Sequence, residues 1–295
     1  MEKSKVYFTK DISSESLIKI YNALGQKLKG NVAVKISTGE LGGHNFLNPK
    51  LIAPLIGEVN GTIVENCTAY RGKRFDVNDH WETIKTHGFT DIAPCDILDE
   101  DGEMPLKVKK GTHLKGVNYV GDHLKKYDSM LVLSHFKGHM MAGFGGALKN
   151  LSIGVASRNG KAWIHSWGNS TDPDKCWEFT ENQDAFLESM AEACESVIDY
   201  FTPKNMVYIN VANNLSIDCD CDANPHKPEM RDIGILASLD PVALDQACVS
   251  KVLNSTDDRK QSLIERMQSR HGIHTIEAAA ALGIGTDKFE LINLD

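Results

Sequence analysis

Met130-Leu131-Val132-Leu133-Ser134 is a near-continuous apolar run. A half-exposed strand alternates polar and apolar residues. A short run that is apolar throughout is expected of a strand buried on both faces, as inside a parallel sheet. Working outward, Lys5–Thr9, Asn31–Ile36, Thr62–Glu65 and Met206–Val211 read as further strands, and helical patterns separate them. Leu17, Ile20, Tyr21, Leu24 and Leu28 fall at helical spacing, with Gly30 as the stop. Asn48-Pro49 reads as an N-cap with proline at the first helical position, opening a helix to about Val59. Asn78 to His87 predicts a short helix ended by Gly88. Thr180-x-x-Gln183 is a capping-box signal for a helix whose apolar face carries Phe186, Leu187, Met190, Cys194, Val197 and Ile198. Asp240-Pro241 caps a helix through about Leu253. Helices near Asp257–Arg270 and Thr275–Leu282 follow, and Phe289–Leu294 reads as a final edge strand. Asp99–Gly116 reads as a hairpin or excursion, and Trp163–Trp177 as a long irregular loop. The expectation is a single α/β domain over 1–295: a mostly parallel sheet with helices on both faces and long irregular loop excursions.

The 295 residues suffice for a large core, and 41% hydrophobic with 24% charged residues is ordinary for a soluble globular chain. Forty acids against 32 bases give a net charge of −8, which argues against a nucleic-acid or anionic-membrane binder but leaves room for a local basic pocket. Met1-Glu2-Lys3-Ser4-Lys5 is no signal peptide, and no apolar stretch approaches ~18 residues, so a cytoplasmic location with reduced cysteines is expected. Cys67, Cys95, Cys194 and Cys248 lie in apolar or helical contexts and read as small core residues.

Ligands of parallel α/β sheets bind beyond the carboxyl ends of the strands. Chemistry-bearing residues cluster at four such ends: Gly39-Glu40-Leu41-Gly42-Gly43-His44, Glu65-Asn66, His135-Phe136-Lys137-Gly138-His139, and Asn213-Asn214 leading to Asp218-Cys219-Asp220-Cys221-Asp222. In an extended backbone Cys219 and Cys221 would share one face, with the three carboxylates on the other. Such a pair can chelate a metal or act as a redox couple; the plain alternative is two small residues in a polar turn. His135 and His139 supply two nitrogens, so that His135, His139, Cys219 and Cys221 make a plausible tetrahedral site for zinc or iron. The flanking acids raise nearby thiol pKa values unless a cation offsets them, which favours metal over a bare nucleophile. Gly145, Gly146, Lys149 and Asn150, in a glycine-rich run entering a helix, read as an anion cradle or as close helix–sheet packing. Glu40, Glu65 and Lys137 are candidate catalytic groups, with His44, Asp218 and His165 in reserve. His80, His87, His113, His123, His271 and His274 read as surface residues.

Three stretches together resemble the bacterial and archaeal family called domain of unknown function 362. They are His135-Phe136-Lys137-Gly138-His139 continuing through Gly143-Phe144-Gly145-Gly146-Ala147-Leu148-Lys149-Asn150; the pair Cys219 and Cys221; and Asp232–Ser238 with Asp240-Pro241-Val242-Ala243-Leu244-Asp245. Many members resemble iron–sulfur proteins because they carry an inserted ferredoxin-like module, which marks a soft boundary here near 155–180. This chain departs from that pattern: Asp172-Pro173-Asp174-Lys175-Cys176 resembles only the module's entrance, and no Cys-x2-Cys-x2-Cys run follows. The usual four-thiolate cradle is therefore missing, and an iron–sulfur cluster would have to be bridged between two subunits of a homodimer.

The reading is a metal- or thiol-dependent enzyme, oxidoreductase-like, acting on a small anionic molecule. The alternatives are a non-catalytic iron–sulfur or metal-handling protein that serves a redox partner, and a small-molecule binding module.

Overall fold

A computed structural model describes residues 3–295. In chain order its elements are β1 (Ser4–Thr9), α1 (Ser14–Ala23), β2 (Val32–Lys35), α2 (Pro49–Glu58), β3 (Gly61–Glu65), α3 (Val77–Thr86), β4 (Cys95–Ile97), β5 (Glu103–Lys107) and β6 (Val117–Gly121). There follow β7 (Ser129–His135), β8 (Lys137–His139), β9 (Gly143–Gly145), α4 (Ala147–Leu151), α5 (Arg158–His165), α6 (Gln183–Phe201) and β10 (Met206–Ala212). The chain closes with β11 (Gly234–Ser238), α7 (Pro241–Leu253), α8 (Gln261–Ser269), α9 (His274–Ala281) and β12 (Phe289–Asn293).

Eight strands form one sheet in the order β12-β1-β11-β10-β7-β2-β3-β4. Only β11 runs against the rest, pairing antiparallel with both β1 and β10. Side chains alternate between the two layers as a pleated strand requires. On β7, Met130 and Val132 join the core beneath α4, α6, α7, α8 and α9, while Leu131 and Leu133 join the core beneath α1, α2 and α3. The apolar run at 130–134 is thus a central strand covered on both faces, and the fold is the expected mostly parallel α/β sheet.

Local signals explain several boundaries. Asp240 caps α7 by accepting from the Val242 and Ala243 amides at 2.9 and 3.1 Å, with Pro241 at the first position, where its missing N–H costs nothing. Asn48 caps α2 in the same way. The α6 cap is Asn182 rather than Thr180, so the helix starts at Gln183 itself. The 99–116 segment does enter an antiparallel pair, β5 with β6. The expected irregular loop from Trp163 is shorter than predicted, because Ser157 caps α5, which carries the chain to His165.

Helix α6 ties the excursion down. Its buried Glu192 carboxylate accepts from the amides of Thr112, His113 and Leu114 at 2.7–3.0 Å, and Glu195 accepts from those of Lys109 and Lys110. Backbone donors that a loop would otherwise leave to water are satisfied by a helix of the body.

Candidate functional site

A cavity of about 450 Å³ opens at the carboxyl ends of the parallel strands, as the sheet topology favours. Its lining comes from the segments after β2 (Ser37), β3 (Glu65 to Arg74) and β7 (His135 to Met141), from α4 and α5, and from the loop after β10 with Cys219 and Cys221.

The cavity is strongly cationic. Lys35, Arg74, Lys137, Lys149 and Lys161 all line it. Three are neutralised: Lys35 lies 3.6 Å from Glu65, Arg74 lies 3.5 and 3.6 Å from Glu40 and Glu65, and Lys137 lies 2.9 Å from Asp220. Among the described residues, Lys149 and Lys161 have no carboxylate within 4.0 Å. Lys161 Nζ donates to the Ala156 carbonyl at 2.6 Å. Burial, reinforced by Lys137 and Arg74, lowers the Lys149 amine to about 7; burial lowers Lys161 to about 8, against the pull of Asp99 and Glu65. Gly145 lies beside both amines, where a Cβ would stand at ordinary contact distance, 3.4 Å from Lys137 Nζ and 3.7 Å from Lys149 Cδ.

The acids expected to act as catalysts are engaged. Glu65 accepts from the amides of Thr38 (2.8 Å) and Asn66 (3.2 Å) besides its two cations. Burial opposes its ionisation, but Lys35 and Arg74 outweigh that and hold it at about 2. Glu40 accepts from the Lys73 amide at 2.7 Å and the Tyr70 hydroxyl at 3.0 Å, and it faces a second cavity rather than the first. Both carboxylates position cations.

The anion cradle is built differently from expectation. The Ala147 and Leu148 amides donate to the buried Asp245 carboxylate at 2.8 and 2.9 Å, and a Cβ on Gly146 would meet Asp245 Oδ1 at 2.4 Å. These amides are therefore occupied, and Gly146 serves close packing. Asn150 Nδ2 donates to Lys35 O, Leu133 O and Ser134 Oγ at 3.0–3.3 Å, stitching α4 to β2 and β7. Of the glycine-rich run, Lys149 is the residue whose polar group keeps no carboxylate within 4.0 Å.

Of the two histidines, His139 reaches the sulfurs and His135 does not. His135 places Nδ1 2.8 Å from Asp220 Oδ1 and Nε2 2.6 Å from the Asn213 carbonyl, so neither ring nitrogen is open to a metal. A ring nitrogen of His139 and the sulfurs of Cys219 and Cys221 lie within 4.8 Å of one another, a group able to hold a metal ion. Two features oppose occupation in this state. The sulfurs are bonded to each other, which corrects the expectation of seven reduced cysteines. His139 Nδ1 accepts from the Met141 and Ala142 amides at 3.1 and 3.0 Å. A metal-bound imidazole donates from its second nitrogen, and here that nitrogen receives. As folded, the set does not suit a resident metal; reduction of the pair is the minimum change that would free thiolate ligands.

The Cys219–Cys221 segment is a turn, not an extended strand. The Asp222 amide donates to the Cys219 carbonyl at 3.0 Å, with Asp220 and Cys221 at the corner. The three carboxylates accordingly diverge: Asp220 points inward to Lys137 and His135, Asp218 accepts from His226, and Asp222 accepts from the Asn224 amide. Asp220 is held well below the usual carboxylate range; burial opposes this, and His135 and Lys137 overcome it.

Of the reserve residues, His165 lines the cavity, stacked on Phe186 at 4.9 Å, and burial takes its ring down to about 3. His44 is exposed and apart from the cavity lining, and Asp218 lines the second cavity. Sequence reasoning passed over Tyr70, Arg74 and Lys161 and gave Lys35 no role in the site. Lys35 had a signal: a lysine ending an otherwise apolar parallel strand is out of place unless a partner awaits it. His80 and His123 are buried, not at the surface; His80 is fully covered, and burial lowers it to about 3.

The family model for "Domain of unknown function (DUF362)" matches residues 32–250. The chain belongs to that family. The matched span contains every residue named above as lining the cavity. No curated protein matches the chain. Solved structures with similarity include the lactate racemase apoprotein from Thermoanaerobacterium thermosaccharolyticum, at 15% identity over 84% of this chain and 57% of that one, TM-score 0.48. A Thermotoga maritima protein matches at 12% identity over 91% of this chain and 58% of that one, TM-score 0.41. The chain therefore spans less than three-fifths of the length of either protein. No helix among the described residues of this family member is long and apolar enough to cross a membrane.

Proposed function

We propose that this DUF362 protein is an enzyme that binds a small anionic substrate, a carboxylate or phosphate, against Lys149 and Lys161 and exposes it to the Cys219–Cys221 wall. The observation that carries this reading is the surplus of cavity cations over acids. A buried charge without a partner is costly, and proteins rarely keep one without use. Here two amines with no carboxylate within 4.0 Å face a space of ligand size, about 450 Å³. Lys149, lowered to about 7, can act as a proton donor or acceptor at neutral pH, where Glu65 at about 2 cannot. The sulfur pair forms part of the same lining and supplies the two-electron chemistry of a dithiol–disulfide couple.

The test is a thermal-shift and calorimetric screen with inorganic phosphate, acetate and malonate at pH 7. At least one of these anions binds wild-type protein and fails to bind Lys149→Met. If all three leave the melting temperature and heat signal unchanged, the reading is wrong.

A second reading has its own observation. The convergence of the His139, Cys219 and Cys221 ligand atoms within 4.8 Å suits a metal once the thiols are reduced and the His139 ring turns away from the Met141 and Ala142 amides. Elemental analysis of anaerobically reduced protein, with Cys219→Ser/Cys221→Ser as control, decides it: stoichiometric zinc or iron lost in the control supports it, and none in either protein ends it.

A further inference from the structure

The sulfur pair borders two spaces. Cys219 and Cys221 line the first cavity, here the inner one, and they also line a second, outer cavity of about 430 Å³, whose lining includes Glu40, Leu41, Tyr70, Gly72, Lys73 and Ala223. Nothing in the proposed anion site calls for that second space. A redox pair that has given two electrons to a substrate must recover them, and a substrate seated in the inner cavity blocks that side.

We propose that the outer cavity is the entry site for a low-molecular-weight thiol, which reduces the Cys219–Cys221 disulfide by attacking Cys221. The size fits: about 430 Å³ takes a molecule of peptide dimensions, whereas a folded protein would have to present its thiol on a slender projection. The direction of attack follows from the two sulfurs' surroundings. Cys219 is 7% exposed, while Cys221 is only half-buried. The Cys221 amide donates to Cys219 Sγ at 3.0 Å. That hydrogen bond stabilises negative charge on Cys219, making it the better leaving group, and exchange is faster when the expelled thiolate is stabilised.

The steps balance. A thiolate RS⁻ forms a bond to Cys221 Sγ, the Sγ–Sγ bond breaks, and its electron pair stays on Cys219 as thiolate. A second RS⁻ attacks the R sulfur of the mixed disulfide, releasing RSSR and the Cys221 thiolate. Two thiols are oxidised, the pair gains two electrons, and solvent supplies the protons that the new thiols take up. This inference depends on the pair being redox-active; it does not depend on which anion occupies the inner cavity.

Reduced glutathione is the probe. Folded, oxidised protein is exposed to it, quenched with N-ethylmaleimide and mapped by peptide mass spectrometry. The glutathionyl adduct is expected on Cys221. An Ala223→Trp plug at the outer rim should slow reduction of the wild-type pair at least ten-fold. An adduct on Cys219, an unaltered rate in the plugged protein, a pair that resists millimolar glutathione, or faster reduction by thioredoxin than by glutathione each overturns the proposal. The wild-type mapping needs no variant to fold, and its sulfur readout is separate from the anion screen, so either idea can fail alone.

Discussion

Replacing Lys149 by Met separates binding from stability. The amine's pKa falls from 10.5 in the unfolded chain to about 7 in the fold, chiefly through burial and then through Lys137 and Arg74, with Asp220 pulling the other way and Lys161 adding to the depression. That fall corresponds to about 5 kcal/mol against the protonated amine. At pH 7 the folded amine is already partly deprotonated, which leaves an upper bound of about 4 kcal/mol. Water entering the cavity reduces this, so about 2–4 kcal/mol is expected. Methionine keeps the apolar stem and removes the amine. Lys149→Met should therefore be more stable than wild type in urea unfolding at pH 7. Because the folded pKa lies below the unfolded one, the unfolded chain holds the extra proton between about pH 7 and 10.5, and wild-type stability rises with pH through that window. The gain from Lys149→Met should shrink to below about 1 kcal/mol at pH 10. Anion affinity follows the opposite course: a bound anion favours the protonated amine, so affinity falls as pH rises above 7 and binding takes up protons. A variant no more stable than wild type at pH 7, or a gain that is the same at pH 7 and pH 10, would refute the account of Lys149 as an uncompensated amine.

Asp220→Asn leaves Lys137 and His135 buried without their carboxylate and should cost about 3–5 kcal/mol in chemical denaturation while tightening phosphate binding, because the cavity loses its inward-facing negative charge. The depressed pKa of Asp220 means that its contribution is complete above the ordinary value near 3.8 and fades as pH falls below it, so acid titration of the wild type should show a loss that the variant lacks. Gly146→Ala drives a Cβ to 2.4 Å from Asp245 Oδ1 and loosens that carboxylate's hold on the start of α4; a loss of about 1–3 kcal/mol by urea titration is expected, with reduced anion binding because α4 carries Lys149. Glu192→Gln turns an N–H₂ toward one of three backbone donors, so limited proteolysis should cut the 108–116 excursion faster than in wild type.

How much was legible depended on how local the signal was. The start of α7 follows from Asp240-Pro241 alone, because a cap acts within one turn. Cap choice at α6 was degenerate: Thr180 and Asn182 both offer an oxygen, and the chain uses Asn182. His80 looked solvated beside Asp79 and Glu82, yet His80, Thr83 and Ile84 form one buried helical face, a spacing open to reading from sequence. The cysteine segment misled because its alternation matches a strand, while its aspartates equally suit a turn; Asp220 turned inward only because Lys137 and His135, about 85 residues earlier, await it. Strand ends were legible, and the pairing of charges across them was not, since ion pairs between distant segments leave no mark in local spacing.

The two halves of the site are coupled through that same residue. Asp220 lies between the bonded cysteines in sequence, its carboxylate neutralises Lys137, and its carbonyl accepts from the Glu40 amide at 2.7 Å. Glu40 in turn restrains Arg74, which also contacts Glu65. A change in the sulfurs that shifts the turn therefore shifts the counter-charge of the cations, and an anion of the proposed kind, competing with Asp220 for Lys137, would pull on the turn. Such a linkage is reciprocal: whatever free energy the anion gains from one sulfur state, that state gains from the anion. Asp218 and Asp222 turn instead to His226 and to the Asn224 amide, so of the three acids in the segment Asp220 is the one that joins the cysteine turn to the buried cations.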